Sequence, residues 1–425
     1  MVPLDMRLSQ LTDPITMLPN RQAFIDGFLP EPDSFLVMLT LADATHFNQL
    51  LRAIGHEYSE DFIREGSARL REALSPEIVI YHVSILSFAF MFPQHAAKAL
   101  LRKIVLTFEK PLIIGGVPVA PDIALGTTNG AEPVAAIILR AALAAAQDCR
   151  MSGADWAHYN PRTDTAHQRG FTLLSHLPAA LEASDQLSLH FQPKYAMASG
   201  AMTSAEALLR WTHPAFGNIS PAEFIPLAEA TAHIHALTDW VLRHAIEQAS
   251  LWVRQGLKLS LAVNVSPRNL GRRGFAQRVA DLLEEYGVDP RMIELEFTEG
   301  VLMSSDPILL DELRALRATN VRIALDDFGS GFANFSYLTH LPADIIKLDK
   351  SIIQEIETDE RSAVVVQSLI ELAHRLGYSV VAEGIEMAKT YEMLAGWGCD
   401  EAQGYFMSRP LDAAGFAEAA MPAVA

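Results

Sequence analysis

Eight short apolar runs in the second half of the chain constrain the fold more than any other feature. They read LSLHFQP, AEALLRW, LSLAVNVS, IELEFTE, VRIALDDFG, ADIIKLDK, YSVVAEGIE and EAQGYFMS. Between most of them lie stretches with helical spacing, such as HALTDWVLRHAIEQASLWVRQ, GFAQRVADLLEEYG, LLDELRALRAT and SAVVVQSLIELAHRLG. Strands buried on both faces read as continuous apolar runs, and strands alternating with helices build parallel sheets. Eight such units predict an α/β fold closed into a (β/α)8 TIM-like barrel, with a doubly wound open sheet as the alternative.

The polar ends of these runs point to chemistry. Glu206, Asn264, Glu296, Asp326, Asp327, Lys347 and Glu383 all lie within or at the end of an apolar run. Any one of them could be a helix cap, an acidic turn or solvated strand-end decoration, and Lys347 with Asp349 could be a simple ion pair. Seven together argue otherwise, because a buried charge is costly unless it is paired or bound to a metal. A parallel barrel gathers the C-terminal ends of its strands at one mouth, so residues about 30 to 60 positions apart meet there. Carboxylates with an amide oxygen suit Mg²⁺ or Mn²⁺. The adjacent Asp326 and Asp327 suit two neighbouring ions, with Asp326 as the bridge, and the set predicts two-metal phosphodiester chemistry. Lys347 would then neutralise charge developing on phosphorus, and Glu383 would hold or deprotonate the attacking water. His213, His244 and His374 lack metal-ligand spacing and read as structural or surface residues.

Charge narrows the partners. With 33 Lys+Arg against 51 Asp+Glu the formal net charge is −18, and no basic stripe offsets it, which disfavours DNA and long RNA. A small anion is still compatible, since bound cations reverse the local potential. Cys149 and Cys399 are the only cysteines and provide neither a disulfide framework nor a metal cluster. The opening MVPLDMRLSQLTDP has no apolar signal core, and EPVAAIILRAALAAAQDC is interrupted by Arg140 and short for a bilayer. No integral membrane segment and a cytoplasmic location are expected.

The first half mixes helices and strands. PNRQAFIDGF reads as a helix, SFLVMLTLAD as a buried strand, and YSEDFIREGSARLREAL as a helix. EIVIYHV and LSFAFMF read as two strands joined by a tight turn, and GVPVAPDIALGTT as a further hairpin before the alanine-rich helix. An α+β unit with a central sheet and helices on one face is expected. The stretch MSGADWAHYNPRTDTAHQRG is polar, with a proline and scattered glycines. The chain is therefore divided into a domain over 1–160, a linker over 161–180 and a barrel domain over 181–425.

Residues 187 to about 412 resemble the EAL-type c-di-GMP phosphodiesterases. The name-giving triplet is Glu206-Ala207-Leu208, and the resemblance rests on the ordered series FQPK, EALLRW, NVS, ELEFTE, DDFGSG, IKLDK, AEGIE and QGYFMSRP. It implies a modified barrel with one strand running against the others, often dimeric, that cuts c-di-GMP to linear pGpG with Mg²⁺ or Mn²⁺. Glu206, Asn264, Glu296 and Asp326 match metal ligands, Asp327 the carboxylate of the second metal, Lys347 the active-site lysine, and Glu383 the glutamate of the hydrolytic water. Glu299 matches the residue steadying the loop after the paired aspartates. Asp349, Glu386 and Gln403 match other pocket positions, and Gln192 and Arg210 match substrate contacts. AEATAHI departs from an acidic-then-glycine turn common in the family, away from this chemistry.

From DPITMLPNR the first half resembles a GGDEF diguanylate cyclase domain stripped of its equipment. Ser84, Ile85, Leu86, Ser87 and Phe88 stand where the catalytic motif belongs. Asp43 survives, but Thr45 replaces a second acid, Asn48 a common lysine, and Leu51-Arg52 the usual Asn-Asp pair. Ser75 and Ile78 replace the ends of the inhibitory RxxD motif. The resemblance implies a non-catalytic scaffold that regulates or dimerises, or binds an unidentified regulatory protein. A c-di-GMP receptor without turnover, and a barrel enzyme acting on another phosphodiester, are the competing functions.

Overall fold

The computed structural model describes residues 10–298, 306–329, 338 and 342–421. The chain splits into two compact units, Met1–Gln168 and Arg169–Ala425. Among the described residues no helix is long and apolar enough to cross a membrane.

The first unit contains strands β1 (Ser34–Thr40), β2 (Tyr81–Ser84), β3 (Ser87–Pro93), β4 (Leu112–Ile114), β5 (Val117–Val119), β6 (Ala124–Asn129) and β7 (Ala157–His158). Five of them form a sheet in the order β2-β3-β1-β6-β7, and β4 pairs with β5 in a separate hairpin. Along β1, Val37 and Leu39 pack with Phe62, Leu70 and Ile104, while Leu36 and Met38 pack with Phe24, Ile138 and Ala142. Helices Ala44–Ala73 and Gln94–Phe108 therefore cover one face, and Arg21–Gly27 and Ala135–Ser152 the other. This corrects the expectation of helices on one face. The unbroken apolar run FLVML leaves no polar face for solvent, so both faces must be covered.

The expected linker over 161–180 is helical. Residues 161–182 form one helix, Pro161–Glu182, and the boundary between the units falls inside it. Pro161 occupies the helix start, where its missing N–H costs nothing. Downstream, Leu173, Leu177 and Ala180 are wholly buried, a stripe at helical spacing. The polar composition of the segment concealed that stripe.

In the second unit the eight runs become β8 (Leu187–Ala196), β9 (Met202–His213), β11 (Ser260–Asn264), β12 (Ile293–Thr298), β13 (Arg322–Phe328), β14 (Ile345–Leu348), β15 (Ser379–Ala382) and β16 (Glu401–Ala402), with β10 (Gly217–Ile219) extending β9 as a hairpin. The strand order β9-β11-β12-β13-β14-β15-β16-β8 closes on itself through β8–β9 pairing. Pairings from β9 to β16 are parallel, and only β8 runs antiparallel to both its neighbours. The open-sheet alternative is thereby excluded. Outward residues such as Val263, Leu295, Phe297, Ile346 and Val380 pack with Leu242, Val279, Leu313, Val366 and Leu394 of the surrounding helices. Inside the barrel the buried apolar side chains include a small cluster of Ala324, Ile345 and Val381, and buried polar and charged side chains share that interior.

Candidate active site

Alternation along each strand sets the site. On β12, Leu295 and Phe297 enter the helix-facing core, so Glu294 and Glu296 turn inward, each only 1% exposed. The same parity directs Gln192 and Lys194 of β8, Glu206 of β9, Asp326 of β13 and Lys347 of β14 into the barrel, all buried. Asn264 ends β11, Glu383 follows β15 and Gln403 follows β16.

These residues form two adjoining groups. In one, Asn264 Nδ2 donates to Glu206 Oε1 at 2.6 Å, and Gln403 Nε2 donates to Glu206 Oε2 at 2.6 Å and to Gln192 Oε1 at 3.2 Å. In the other, Lys347 Nζ lies 2.8 Å from Glu296 Oε2, 2.9 Å from Asp326 Oδ1 and 2.5 Å from Glu383 Oε1. Although so close, Lys347 Nζ, Glu296 Oε2 and Glu383 Oε1 are buried without a well-aligned hydrogen bond, so the attraction is chiefly Coulombic. Beneath them Lys194 Nζ donates to Glu294 Oε1 at 2.9 Å and to Glu296 Oε1 at 2.8 Å.

Proton affinities diverge accordingly. Burial raises the Glu206 carboxyl, with Lys347 opposing and Glu296 and Asp326 adding to the rise. Burial pushes Glu383 up to about 8 against the pull of Lys347. Burial would raise Glu296 as well, but Lys194 and Lys347 together hold it down at about 2. For Lys347 burial works against the charge, yet Glu206, Glu296, Glu383 and Asp326 keep its ammonium well above the ordinary lysine value. Carboxylates pushed in opposite directions within one pocket mark acid–base chemistry.

Asp327 reaches the mouth through a distortion. The β13–β14 register shifts between Leu325 and Phe328, and Asp327 adopts φ 56°, a left-handed conformation unusual for a residue with a Cβ. An irregularity of this kind re-aims a side chain; here it leaves Asp327 exposed beside buried Asp326. Burial of its carboxyl, then Asp326 and Asp349, raise its pKa. Gly404 fixes the opposite rim: a Cβ there would lie 2.0 Å from the Ile385 carbonyl oxygen, so only glycine lets the loop bearing Gln403 pack.

The remaining expected residues stand apart from the buried groups. Asp349 caps the helix Lys350–Ile353, accepting from Ser351 N at 2.9 Å, and it makes no ion pair with Lys347. Glu386 pairs with Lys350 at 2.6 Å on the exposed rim. Arg210 donates to the Leu209 carbonyl at 2.9 Å. With Leu208, Ile225, Leu237 and Asn264 it lines a cavity of about 310 Å³ beside Glu296. Glu299 lies outside the described residues, as do Ser330 and Gly331 of the DDFGSG run. The sequence reading passed over Lys194 and Glu294. Their signal was the two-residue spacing of Gln192 with Lys194 and of Glu294 with Glu296, one face of a strand in each case.

The donor set fits a hard divalent cation. Glu206, Glu294, Glu296, Asp326 and Glu383 outnumber Lys194 and Lys347, and Glu296 Oε2 and Glu383 Oε1 are unbonded buried oxygens. Among the described residues no three His, Cys, Asp or Glu side chains converge at metal-binding distance, because the Lys347 ammonium takes the centre of Glu296, Asp326 and Glu383. Both the composition and the uncompensated charge suit a cation bound by oxygen.

Residues 175–410 match the family model described as "EAL domain". The chain is 39% identical over 374 residues to the cyclic di-GMP phosphodiesterase PA2567 of Pseudomonas aeruginosa, covering 86% of this chain and 63% of that protein. It is 31% identical over 418 residues to the bifunctional diguanylate cyclase/cyclic di-GMP phosphodiesterase MucR of the same organism, covering 95% of this chain and 60% of that protein. It thus spans less than two thirds of the length of these curated relatives. Among solved structures, the PaMucR phosphodiesterase in complex with c-di-GMP is 38% identical with a TM-score of 0.55, over 58% of this chain and 99% of that one.

Proposed function

The chain belongs to the EAL domain family, and we propose that its barrel is a metal-dependent phosphodiesterase that hydrolyses c-di-GMP to linear pGpG. The observation that carries the reading is the buried group of Glu296, Lys347 and Asp326 at the barrel mouth, with Glu383 against the same ammonium. The relative and the solved structure whose names give c-di-GMP as substrate or ligand support the choice of phosphodiester.

Glu206, Asn264, Glu296, Asp326 and Asp327 would hold two Mg²⁺ or Mn²⁺ ions, which neutralise the scissile phosphate and acidify water. Water attacks one phosphorus, the P–O3′ bond breaks, and the ring opens to a chain with one 5′-phosphate and one 3′-hydroxyl. In its ionised form Glu383, a stronger base than an ordinary carboxylate, takes the proton released by the water and returns a proton to the departing 3′ oxygen. Lys347 keeps its charge throughout and offsets the negative charge gathering on the phosphoryl oxygens. Glu206 is steered by Asn264 and Gln403, which fixes both its oxygens. Gln192, Arg210, Asp349, Glu386 and Gln403 would contact the dinucleotide, with Arg210 at the cavity beside the buried group, and Glu299 would steady the loop after the aspartates.

The first unit is a GGDEF-like scaffold without cyclase chemistry, serving regulation or homodimerisation. The alignment with a bifunctional cyclase/phosphodiesterase runs through it, and Ser84, Ile85, Leu86 and Ser87 occupy the β2–β3 turn where the acids and glycines belong.

Purified protein with Mg²⁺ or Mn²⁺ should convert c-di-GMP to pGpG, and Glu206→Ala should not. Tight c-di-GMP binding without product under both metals would instead make the chain a receptor. Product from another phosphodiester alone would overturn the substrate.

A further inference from the structure

Among the described residues Lys194 is the most deeply buried cation, 0% exposed on the antiparallel strand β8. It lies too far inside to meet a substrate at the mouth. Its ammonium bridges Glu294 and Glu296. The other oxygen of Glu294 lies 3.8 Å from the guanidinium of Arg322 at the start of β13, and the other oxygen of Glu296 faces Lys347, which reaches Glu383. Arg322, Glu294, Lys194, Glu296 and Lys347 thus form a file of alternating charge running through the barrel to Glu383 at its mouth.

Stability does not require this file. Removing two ions from water costs several kcal/mol each, and replacing a buried pair by apolar groups is often neutral or stabilising. The interior already accepts apolar side chains at Ala324, Ile345 and Val381. What Lys194 does is geometric. By binding Glu296 Oε1 from below, it turns Oε2 to the Lys347 side, where that oxygen is buried with no aligned hydrogen bond. Without Lys194 both oxygens of Glu296 are free to rotate onto Lys347.

We propose that Lys194, neutralised by Glu294, is a positioning residue that locks the Glu296 carboxylate with one oxygen turned to the mouth to receive a divalent cation. The inference rests on the phosphodiesterase reading for its reaction, though not for its metal affinity. Partners of this kind, which orient a ligand without touching the ion, typically govern affinity or activity by about 10–100-fold.

The test compares wild type, Lys194→Met and Lys194→Met/Glu294→Gln, measuring Tm, Mn²⁺ affinity by calorimetric titration, and kcat and KM for c-di-GMP. Lys194→Met leaves two glutamates facing each other and should lower Tm. The double variant should regain much of that loss, yet bind Mn²⁺ about tenfold or more weakly, with kcat reduced by a similar factor and KM little changed. If the double variant recovers Mn²⁺ affinity and kcat along with Tm, Lys194 is merely structural and the inference falls. It falls equally if neither variant folds, because the pair is then needed for the barrel itself, or if wild type binds no Mn²⁺. A wild type that binds Mn²⁺ but leaves c-di-GMP intact overturns the phosphodiesterase reading, and the Mn²⁺ titrations still decide the role of Lys194.

Discussion

The two units use their charged residues in opposite ways. In the barrel, Glu206, Glu296, Asp326 and Lys347 are buried in the interior rather than finishing elements of structure. In the first unit Asp43, Asp122 and Asp164 are absorbed by architecture. Asp43 caps the helix Ala44–Ala73, accepting from His46 N; Asp122 pairs with Arg150; Asp164 is clasped by Arg140 and Tyr159. A groove of about 620 Å³ beside the β2–β3 turn includes Asp43, Ser84, Ile85, Leu86 and Met151 among its lining, with Asp43 as its one carboxylate. Charge that completes a cap or an ion pair is no longer poised for a ligand. Charge kept buried and unaligned is costly and signals use.

The contrast is broken most directly by removing acids from both sides. Glu206→Ala should lower kcat for c-di-GMP by at least about 10²–10³-fold, the scale of losing one electrostatic contributor in a closed site. Lys347→Met should do the same and also destabilise the barrel by about 3–5 kcal/mol, because Glu296, Asp326 and Glu383 lose their buried counter-charge. Asp43→Ala should cost only the helix cap, about 1 kcal/mol, with turnover unchanged. A large fall in turnover from Asp43→Ala would mean that the first unit still takes part in the chemistry.

A matched pair of strained residues sharpens the comparison. Met17 in the first unit and Asp327 in the barrel both hold positive φ, 57° and 56°. Glycine adopts that conformation without penalty, so Met17→Gly and Asp327→Gly should each stabilise by roughly 0.5–1 kcal/mol after the entropy of the unfolded chain is counted. Only Asp327→Gly should cost turnover, by about tenfold or more, and Asp327→Asn should cost as much without the gain in Tm. Thermal melts and steady-state kinetics on the three variants decide it. Equal activity across all three would remove Asp327 from the site.

How far the sequence carried this picture depends on which physical signal each element left. The barrel was legible because every strand is a short apolar run with period-two parity, and that parity alone turns Glu206, Asp326 and Lys347 inward together. Lys194 and Glu294 obey the same parity but lie toward the other end of the barrel, Lys194 near the end of the antiparallel β8 and Glu294 near the start of β12. The helix Pro161–Glu182 was hidden because Pro161 and its polar neighbours resemble a linker, while the stripe of Leu173, Leu177 and Ala180 begins only later. The second layer of helices in the first unit follows from the unbroken run FLVML, which leaves β1 no polar face to turn to solvent. Asp349 caps the next turn through a local contact with Ser351, whereas the pairing of Glu386 with Lys350, 36 residues away, emerges only once the barrel closes.

The smallest effect concerns the acid in the first unit that most resembles a functional one. Asp164 is buried, accepts both nitrogen-side contacts at 2.7 Å from Arg140 Nη1 and one at 2.8 Å from the Tyr159 hydroxyl, and burial by itself would raise its pKa. Arg140 and Tyr159 outweigh that burial, so its folded-state pKa is lowered. A carboxyl depressed on folding stabilises the protein above its unfolded value of about 3.9 and loses that contribution as pH falls through the lower, folded value. Half-exposed Arg140 limits the gain through solvent screening, so Asp164→Asn should cost only about 1 kcal/mol at neutral pH and progressively less below about pH 3.9. Denaturant melts across that range, with the first unit followed through Trp156 fluorescence, would show the wild-type and variant midpoints converging as acid is added. If they instead stay apart, or if Asp164→Asn depresses c-di-GMP turnover at neutral pH with stability intact, the acid is functional and the division between the two units does not hold.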